Sequence, residues 1–195
     1  MEENKGLVKT GESLSDLIEY GKIFAESNVF PDVKTAAQGA IKILAGKEVG
    51  LSPMQSINSF YFVNGRLAMM AQVMAALIKK SGKYDYDPIS MGHEGCTIVF
   101  YRVVEGQQKE KIGESTFDKT QAARAGIINK DNWKSYPTAM YFARALANGA
   151  RWFCPDAISG FYTVEELNDL SVSSAEKTVT IDAEGEVKSE TETPI

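Results

Sequence analysis

Phe60-Tyr61-Phe62-Val63-Asn64-Gly65-Arg66-Leu67-Ala68-Met69 is two β-prone runs around an Asn-Gly dipeptide. Asn and Gly both tolerate the positive φ that a two-residue hairpin turn demands, so this stretch predicts a β-hairpin. On either side the hydrophobic period is helical. Upstream, Ser13 is placed to cap a helix running to Asn28, with Leu14, Leu17, Ile18 and Tyr20 near helical spacing. A second helix is expected from Asp32 as cap to about Lys47, and Ser52-Pro53 should open a short one over Met54–Ser59. Downstream, Ala71 to Ser81 reads as a helix closed by Gly82.

Three further strands are expected, Lys83–Ile89, Cys96–Val104 and Lys109–Phe117, the last two antiparallel through Glu105-Gly106-Gln107-Gln108. Asp118 should cap a short helix to Ala125. Pro137 to Phe153 is the longest helix, stopped by Pro155, and Thr163-Val164-Glu165-Glu166 is a capping box for a last short one. Helices flanking an antiparallel sheet make the class α+β: a small antiparallel sheet with a β-hairpin, flanked by helices. From Ser171 onward large apolar residues are scarce, which predicts a disordered acidic tail. The expected organisation is therefore an N-terminal helical segment over 1–32, a single α+β core over 33–170 and the tail over 171–195.

The chain has 195 residues, of which 44% are hydrophobic and 24% charged, with a formal net charge of −5. Taken whole, that acidity argues against a nucleic-acid binder. The charge is uneven, however: residues 1–32 and 171–195 each carry −4, and 33–170 carries +3. The first residues hold no apolar run of the signal-peptide kind, and the longest nearly apolar run, Ala68–Ile78, is too short to span a bilayer. A cytosolic protein is expected, with Cys96 and Cys154 as reduced, packed thiols.

Several chemistries lack their residues. His93 is the only histidine, and no Gly-x-Ser-x-Gly elbow accompanies it. Gly46-Lys47 is followed by Glu48, where a phosphate loop needs Ser or Thr, and Gly-x-Gly-x-x-Gly is missing, so ATP-driven chemistry is not expected. No catalytic role and no resident cofactor or metal are expected. Asp85, Asp87 and Glu94 leave one enzymatic alternative open, a metal-dependent nuclease, since alternate strand positions share a face.

The most informative block is Asn132-Trp133-Lys134-Ser135-Tyr136-Pro137 and the helix that follows. From Asn132 to Pro155 there are three bases, Lys134, Arg144 and Arg151, and no acid. Arg144, Asn148 and Arg151 stand at i, i+4 and i+7 and form one polar stripe on an otherwise apolar helix. Such guanidinium groups need an anion. Phosphate suits the arginine fork, and acids elsewhere in the fold, such as Asp118, Asp156 or Glu166, are the alternative; in that case the chain is a non-enzymatic interaction protein. Lys119 and Arg124, with Lys79, Lys80 and Lys83, extend the candidate anion groove. Tyr61, Trp133, Tyr136, Tyr141 and Trp152 are candidate base-stacking rings or core.

Asn132-Trp133-Lys134-x-Tyr136-Pro137, Ala143-Arg144-Ala145, Ala150-Arg151, Pro155-Asp156 and Gly160-x-Tyr162-Thr163-x-Glu165-Glu166 together resemble the signature of RecT-type phage single-strand annealing proteins, the RecT/Redβ-like recombinases. Gly50-Leu51-Ser52-Pro53-Met54 with Asn64-Gly65-Arg66 is similar to that family's other recognisable stretch, and the two span roughly residues 48–167. The chain departs from the pattern at Thr138 and Ala139 after the Tyr-Pro, and at Val164. The resemblance implies ATP-independent binding of single-stranded DNA and annealing of complementary strands in homologous recombination, in a bacterial host cytosol. It implies a homo-oligomer, ring or helical filament, whose partners are the annealed duplex and a phage exonuclease or host single-strand-binding protein; the need for magnesium in the DNA complex stays open. Carried over by position, Arg144 and Arg151 match the family's motif arginines and Lys134 the lysine after its Trp, with phosphate contact or support of the groove as their role; Asn148, Arg124, Lys119, Arg66, Lys79 and Lys80 complete the expected DNA-binding set.

Overall fold

The structure is a computed structural model that describes residues 13–104, 108–170, 178–181 and 187–191. Its first layer is helical. The helix α1 (Leu14–Glu26) starts at Ser13, whose side chain accepts from Asp16 N while Asp16 accepts from Ser13 N at 2.7 Å. The helix α2 (Ala36–Glu48) starts at Thr35 in the same reciprocal arrangement with Gln38, and not at Asp32 as the sequence suggests. The reason is tertiary: Asp32 is taken by Lys42, whose fully buried ammonium donates to the Asp32 carboxylate and to Ile57 O at 3.2 Å. A short α3 (Pro53–Ser59) follows Ser52, capped by it as expected.

α1 and α2 cross at glycines. A Cβ on Gly39 would stand 2.6 Å from the Cα of Gly21, so any side chain there forces the backbones apart. The close approach seals a small separate core of Leu17, Phe24, Val33, Ala40, Ile43 and Ile57. α1 thus packs on α2 across the expected boundary at residue 32.

The hairpin forms where the Asn-Gly signal puts it, with β1 (Phe60–Val63) and β2 (Arg66–Met69) paired antiparallel and both Asn64 (φ 50°) and Gly65 (φ 73°) left-handed. After α4 (Ala71–Lys80), β3 (Tyr84–Gly92), β4 (Gly95–Val103) and β5 (Lys109–Asp118) build an antiparallel sheet with β4 central. Asp118 caps α5 (Lys119–Arg124) through Gln121 N at 2.8 Å. Then come α6 (Asp131–Ser135), α7 (Pro137–Phe153), α8 (Pro155–Ile158), β6 (Tyr162–Thr163) and α9 (Val164–Leu170). The class is mixed α+β with small sheets. One pairing departs from a purely antiparallel expectation: β6 joins β2 in parallel, through Ala68↔Tyr162 and Met69↔Thr163.

α7 lies on the three-stranded sheet and carries the main core. Cys96, Ile98 and Phe100 on β4 alternate toward Ala145, Leu146 and Ala150, all essentially inaccessible to solvent. Helix and sheet meet closely because Gly149 leaves room for the Phe100 ring and Gly113 for the Phe153 ring. Cys96 and Cys154 are both free and buried in this core. Burial pushes the Cys96 thiol up to about 11, and burial with the nearby Asp156 charge pushes Cys154 up to about 12. A thiol-specific disulfide reagent at neutral pH is therefore expected to find no reactive cysteine in the native protein and two in urea. Rapid reaction of the native protein would contradict this packing.

Within 171–195, expected to lack structure, β7 (Thr178–Ile181) and β8 (Val187–Thr191) pair antiparallel. Runs such as Thr178-Val179-Thr180-Ile181 are β-branched throughout and suit a strand despite the acidic surroundings. The rest of the tail lies outside the described residues. Among the described residues no helix is long and apolar enough to cross a membrane.

Candidate nucleic-acid interface

The arginine stripe of α7 does find acids, and they come from α9. Arg151 makes a forked pair with Glu166, with Nη1 donating to Oε2 at 3.0 Å and Nη2 to Oε1, and Nη2 reaches Asn148 Oδ1 at 3.4 Å. Arg144 Nη1 stands 3.7 Å from the same carboxylate and its Nε 3.9 Å from Asp169 Oδ2. Glu166 serves twice, since it also accepts from Thr163 N at 2.9 Å and Thr163 Oγ1 at 3.1 Å in the capping box that opens α9. Asp169 accepts from Trp133 Nε1 at 3.1 Å and Lys130 Nζ at 3.4 Å. Glu166 and Asp169 are almost fully buried, and the guanidinium planes cover Phe117 (Arg144) and Tyr162 (Arg151), each 5.1 Å from the ring centre.

Of the alternatives that the spacing left open, Glu166 is therefore a partner, whereas Asp118 caps α5 and Asp156 pairs with Lys83 at 2.9 Å. Asp169 and Lys130, which complete the cluster, were not singled out from sequence. The lack of acid on α7 does not call for an external anion, because the chain folds back through Ser159 (φ 48°) and Gly160 (φ 75°) and delivers two. Trp133 and Tyr141 are core, at 2% exposure each, whereas Tyr136 and Trp152 are exposed.

The remaining candidate cations fall into two groups. Arg66 at the hairpin tip, Arg124 at the end of α5 and Lys134 on α6 are exposed, with no side-chain ion pair among the described residues. Lys119, Lys80 and Lys79 are engaged: Lys119 with Glu94 at 3.1 Å, Lys80 with Gly50 O at 2.6 Å, and Lys79 with Asp85 at 2.6 Å. Asp85 also receives Lys109 at 2.7 Å. Burial alone would raise its carboxyl, but the Lys109 and Lys79 ammoniums and the Tyr86 N–H overcome that and hold it down at about 2. Lys109 is a further cation that sequence reasoning passed over. Its signal is the strand register, which sets Lys109 opposite Val103 on β4 and Asp85 opposite Tyr101.

Asp85 is closed by two lysines, Glu94 stands in the β3–β4 turn against Lys119, and among the described residues no three His, Cys, Asp or Glu side chains are grouped to hold a metal ion. His93 and Glu94 line an open cleft of about 420 Å³ with Cys96, whose raised thiol is not a nucleophile at neutral pH. In comparisons with known proteins, no family model, no curated protein and no solved structure matches the chain.

Proposed function

We propose that this protein binds single-stranded DNA and anneals complementary strands without ATP, as a homo-oligomer in phage-type recombination within a bacterial cytosol. The observation that carries the reading is the union of the two stretches that bear the sequence resemblance. They lie some 90 residues apart in the chain, yet β2, which opens at Arg66, pairs with β6, and Lys83 beyond α4 holds Asp156 at 2.9 Å. Within that unit Arg144 and Arg151 are the frame that locks α7 to α9. Phosphate contact falls to the exposed cations, Lys134, Arg124 and Arg66, and to the lysines of α4.

Each phosphate neutralised releases counterions, so affinity falls steeply with salt. Bases left unread by the protein remain free to pair with a second strand. The exposed apolar residues Leu14, Ile18 and Ile23 of α1 supply a surface on which neighbouring subunits can align. An exonuclease that exposes single strands, or a host single-strand-binding protein, is the class of partner such an activity needs.

The test is annealing of two complementary oligonucleotides without ATP, together with oligonucleotide affinity at several salt concentrations. Wild type should accelerate annealing. The Lys134→Ala/Arg124→Ala/Arg66→Ala variant should keep its fold and bind more weakly, with a salt slope shallower by about 0.7 for each lost single-strand contact. The pairing of Arg151 with Glu166, and of Arg144 at longer range with Glu166 and Asp169, favours a second reading, an interaction protein whose basic stripe is satisfied internally. No oligonucleotide binding by wild type at low salt, with no acceleration, would establish that reading against annealing.

A further inference from the structure

We propose that the cleft between α4, β3 and β5 grips a backbone phosphate of the single strand, with Lys79 and Lys109 as donors and Asp85 as an internal counter-anion that positions both and tempers their hold. The inference rests on the annealing reading and specifies where one phosphate is bound.

The cleft measures about 370 Å³ and is lined by Lys79, Gly82, Tyr84, Asp85, Val103 and Lys109. Its charge is graded from floor to mouth. The Asp85 side chain is 18% exposed, while Lys79 and Lys109 are 51% and 44% exposed. Each carboxylate oxygen takes one ammonium, Oδ1 from Lys79 at 2.6 Å and Oδ2 from Lys109 at 2.7 Å, and Oδ1 also accepts from Tyr86 N at 2.8 Å. Two cations share one anion at the floor, and Asp87 further along β3 also bears on Lys109. An ammonium carries three N–H donors, so one bond to Asp85 leaves both lysines with donors to offer.

The lysines are held laterally as well. Lys79 Nζ stands over the Tyr86 ring at 4.7 Å, and Lys109 Nζ over the Tyr101 ring at 5.8 Å. Ordering two long side chains before the ligand arrives removes an entropy cost that surface lysines otherwise meet on binding. The rim is open at Gly82, where an added Cβ would meet nothing within 4 Å. Of the neighbouring lysines, Lys83 is paired with Asp156 and Lys111 with Glu114. Lysine binds phosphate as a point charge and does not require a fork such as the one Arg151 gives to Glu166. An annealing protein must also let go of its strand, and a carboxylate that competes for the same ammoniums weakens the grip without removing it.

The experiment titrates a fluorescent thymidine oligonucleotide into full-length wild type, Lys79→Ala, Lys109→Ala and Asp85→Asn, with inorganic phosphate as competitor and thermal melting as the check on folding. Each lysine variant is expected to bind about tenfold more weakly at low salt and to lower the salt slope by about 0.7. Asp85→Asn is expected to bind more tightly, because both ammoniums are released. A purely structural Asp85 predicts the opposite sign, since its loss disorders the lysines; weaker or unchanged binding by a folded Asp85→Asn protein overturns the proposal. Should that variant not fold, Lys109→Gln takes its place, and unchanged affinity in it is equally decisive. Loss of oligonucleotide binding to millimolar inorganic phosphate would mark the cleft as a site for free phosphate and overturn the assignment to a strand. Oligonucleotide binding that ignores every substitution refutes the cleft alone; no binding by wild type refutes the function on which it rests.

Discussion

Alanine in place of Glu166 is expected to lower stability by about 3–5 kcal/mol, measured as a fall in the urea midpoint at unchanged slope. A domain of this kind has only about 5–15 kcal/mol in total, so the variant should be largely unfolded on modest heating. The Glu166 side chain is 3% exposed and receives Arg151 through two bonds, Thr163 through two more and Arg144 at 3.7 Å. Its removal strands two guanidinium groups that are 17% and 28% exposed, with Asp169 3.9 Å from Arg144 Nε as the remaining acid of the cluster. It also takes away the Glu166 half of the α9 capping box, while Thr163 Oγ1 still accepts from the backbone N–H of residue 166. Glu166→Gln keeps an acceptor for Thr163 but not the charge, and should fall between wild type and alanine. A loss under about 1 kcal/mol in the alanine variant would show that the cluster is ordinary surface pairing.

The second large effect is expected at Gly149. Valine there should cost about 1–3 kcal/mol from overpacking, or more where the core cannot relax. An added Cβ would overlap the ring of Phe100 and stand 2.9 Å from the Cβ of Ser115. Phe100 is itself wholly buried between α7 and the sheet, with Phe153 5.6 Å away, so it has nowhere to turn. Ala139→Val, on the exposed side of the first turn of α7, is the control and should cost only the helix propensity of valine, about 0.5 kcal/mol. Equal effects at 139 and 149 would mean that α7 does not sit on β4 as described.

These two sites show how unevenly the fold can be read from the chain. The stop at Pro155, the Asn-Gly hairpin and the caps at Ser13, Ser52, Asp118 and Thr163 were legible because each is decided within four residues. Thr35 was not, although it is as good a cap as Asp32, because the choice between them depends on Lys42, ten residues away and fully buried. β6 escaped notice for a related reason: two residues carry no period, and Tyr162-Thr163 becomes a strand only because β2 presents a free edge. In the candidate site, the stripe of Arg144, Asn148 and Arg151 was visible as spacing, and the capping box of Thr163 and Glu166 as a motif. Which of Asp118, Asp156 and Glu166 would join the two was not visible.

The sequence by itself determined the α+β class, the order and approximate ends of the main helices and strands, and which helix carries the cationic stripe. Those properties follow from side-chain period, cap chemistry and turn residues, all of which act locally along the chain. The tertiary structure alone decided where the charges go. It turned Arg144 and Arg151 inward to Glu166 and Asp169, left Arg66, Arg124 and Lys134 outside, and gathered Lys79 and Lys109 on Asp85. The physical reason is that an ion pair is set by distances of a few ångströms between elements remote in sequence, and composition and spacing say nothing of which elements will meet.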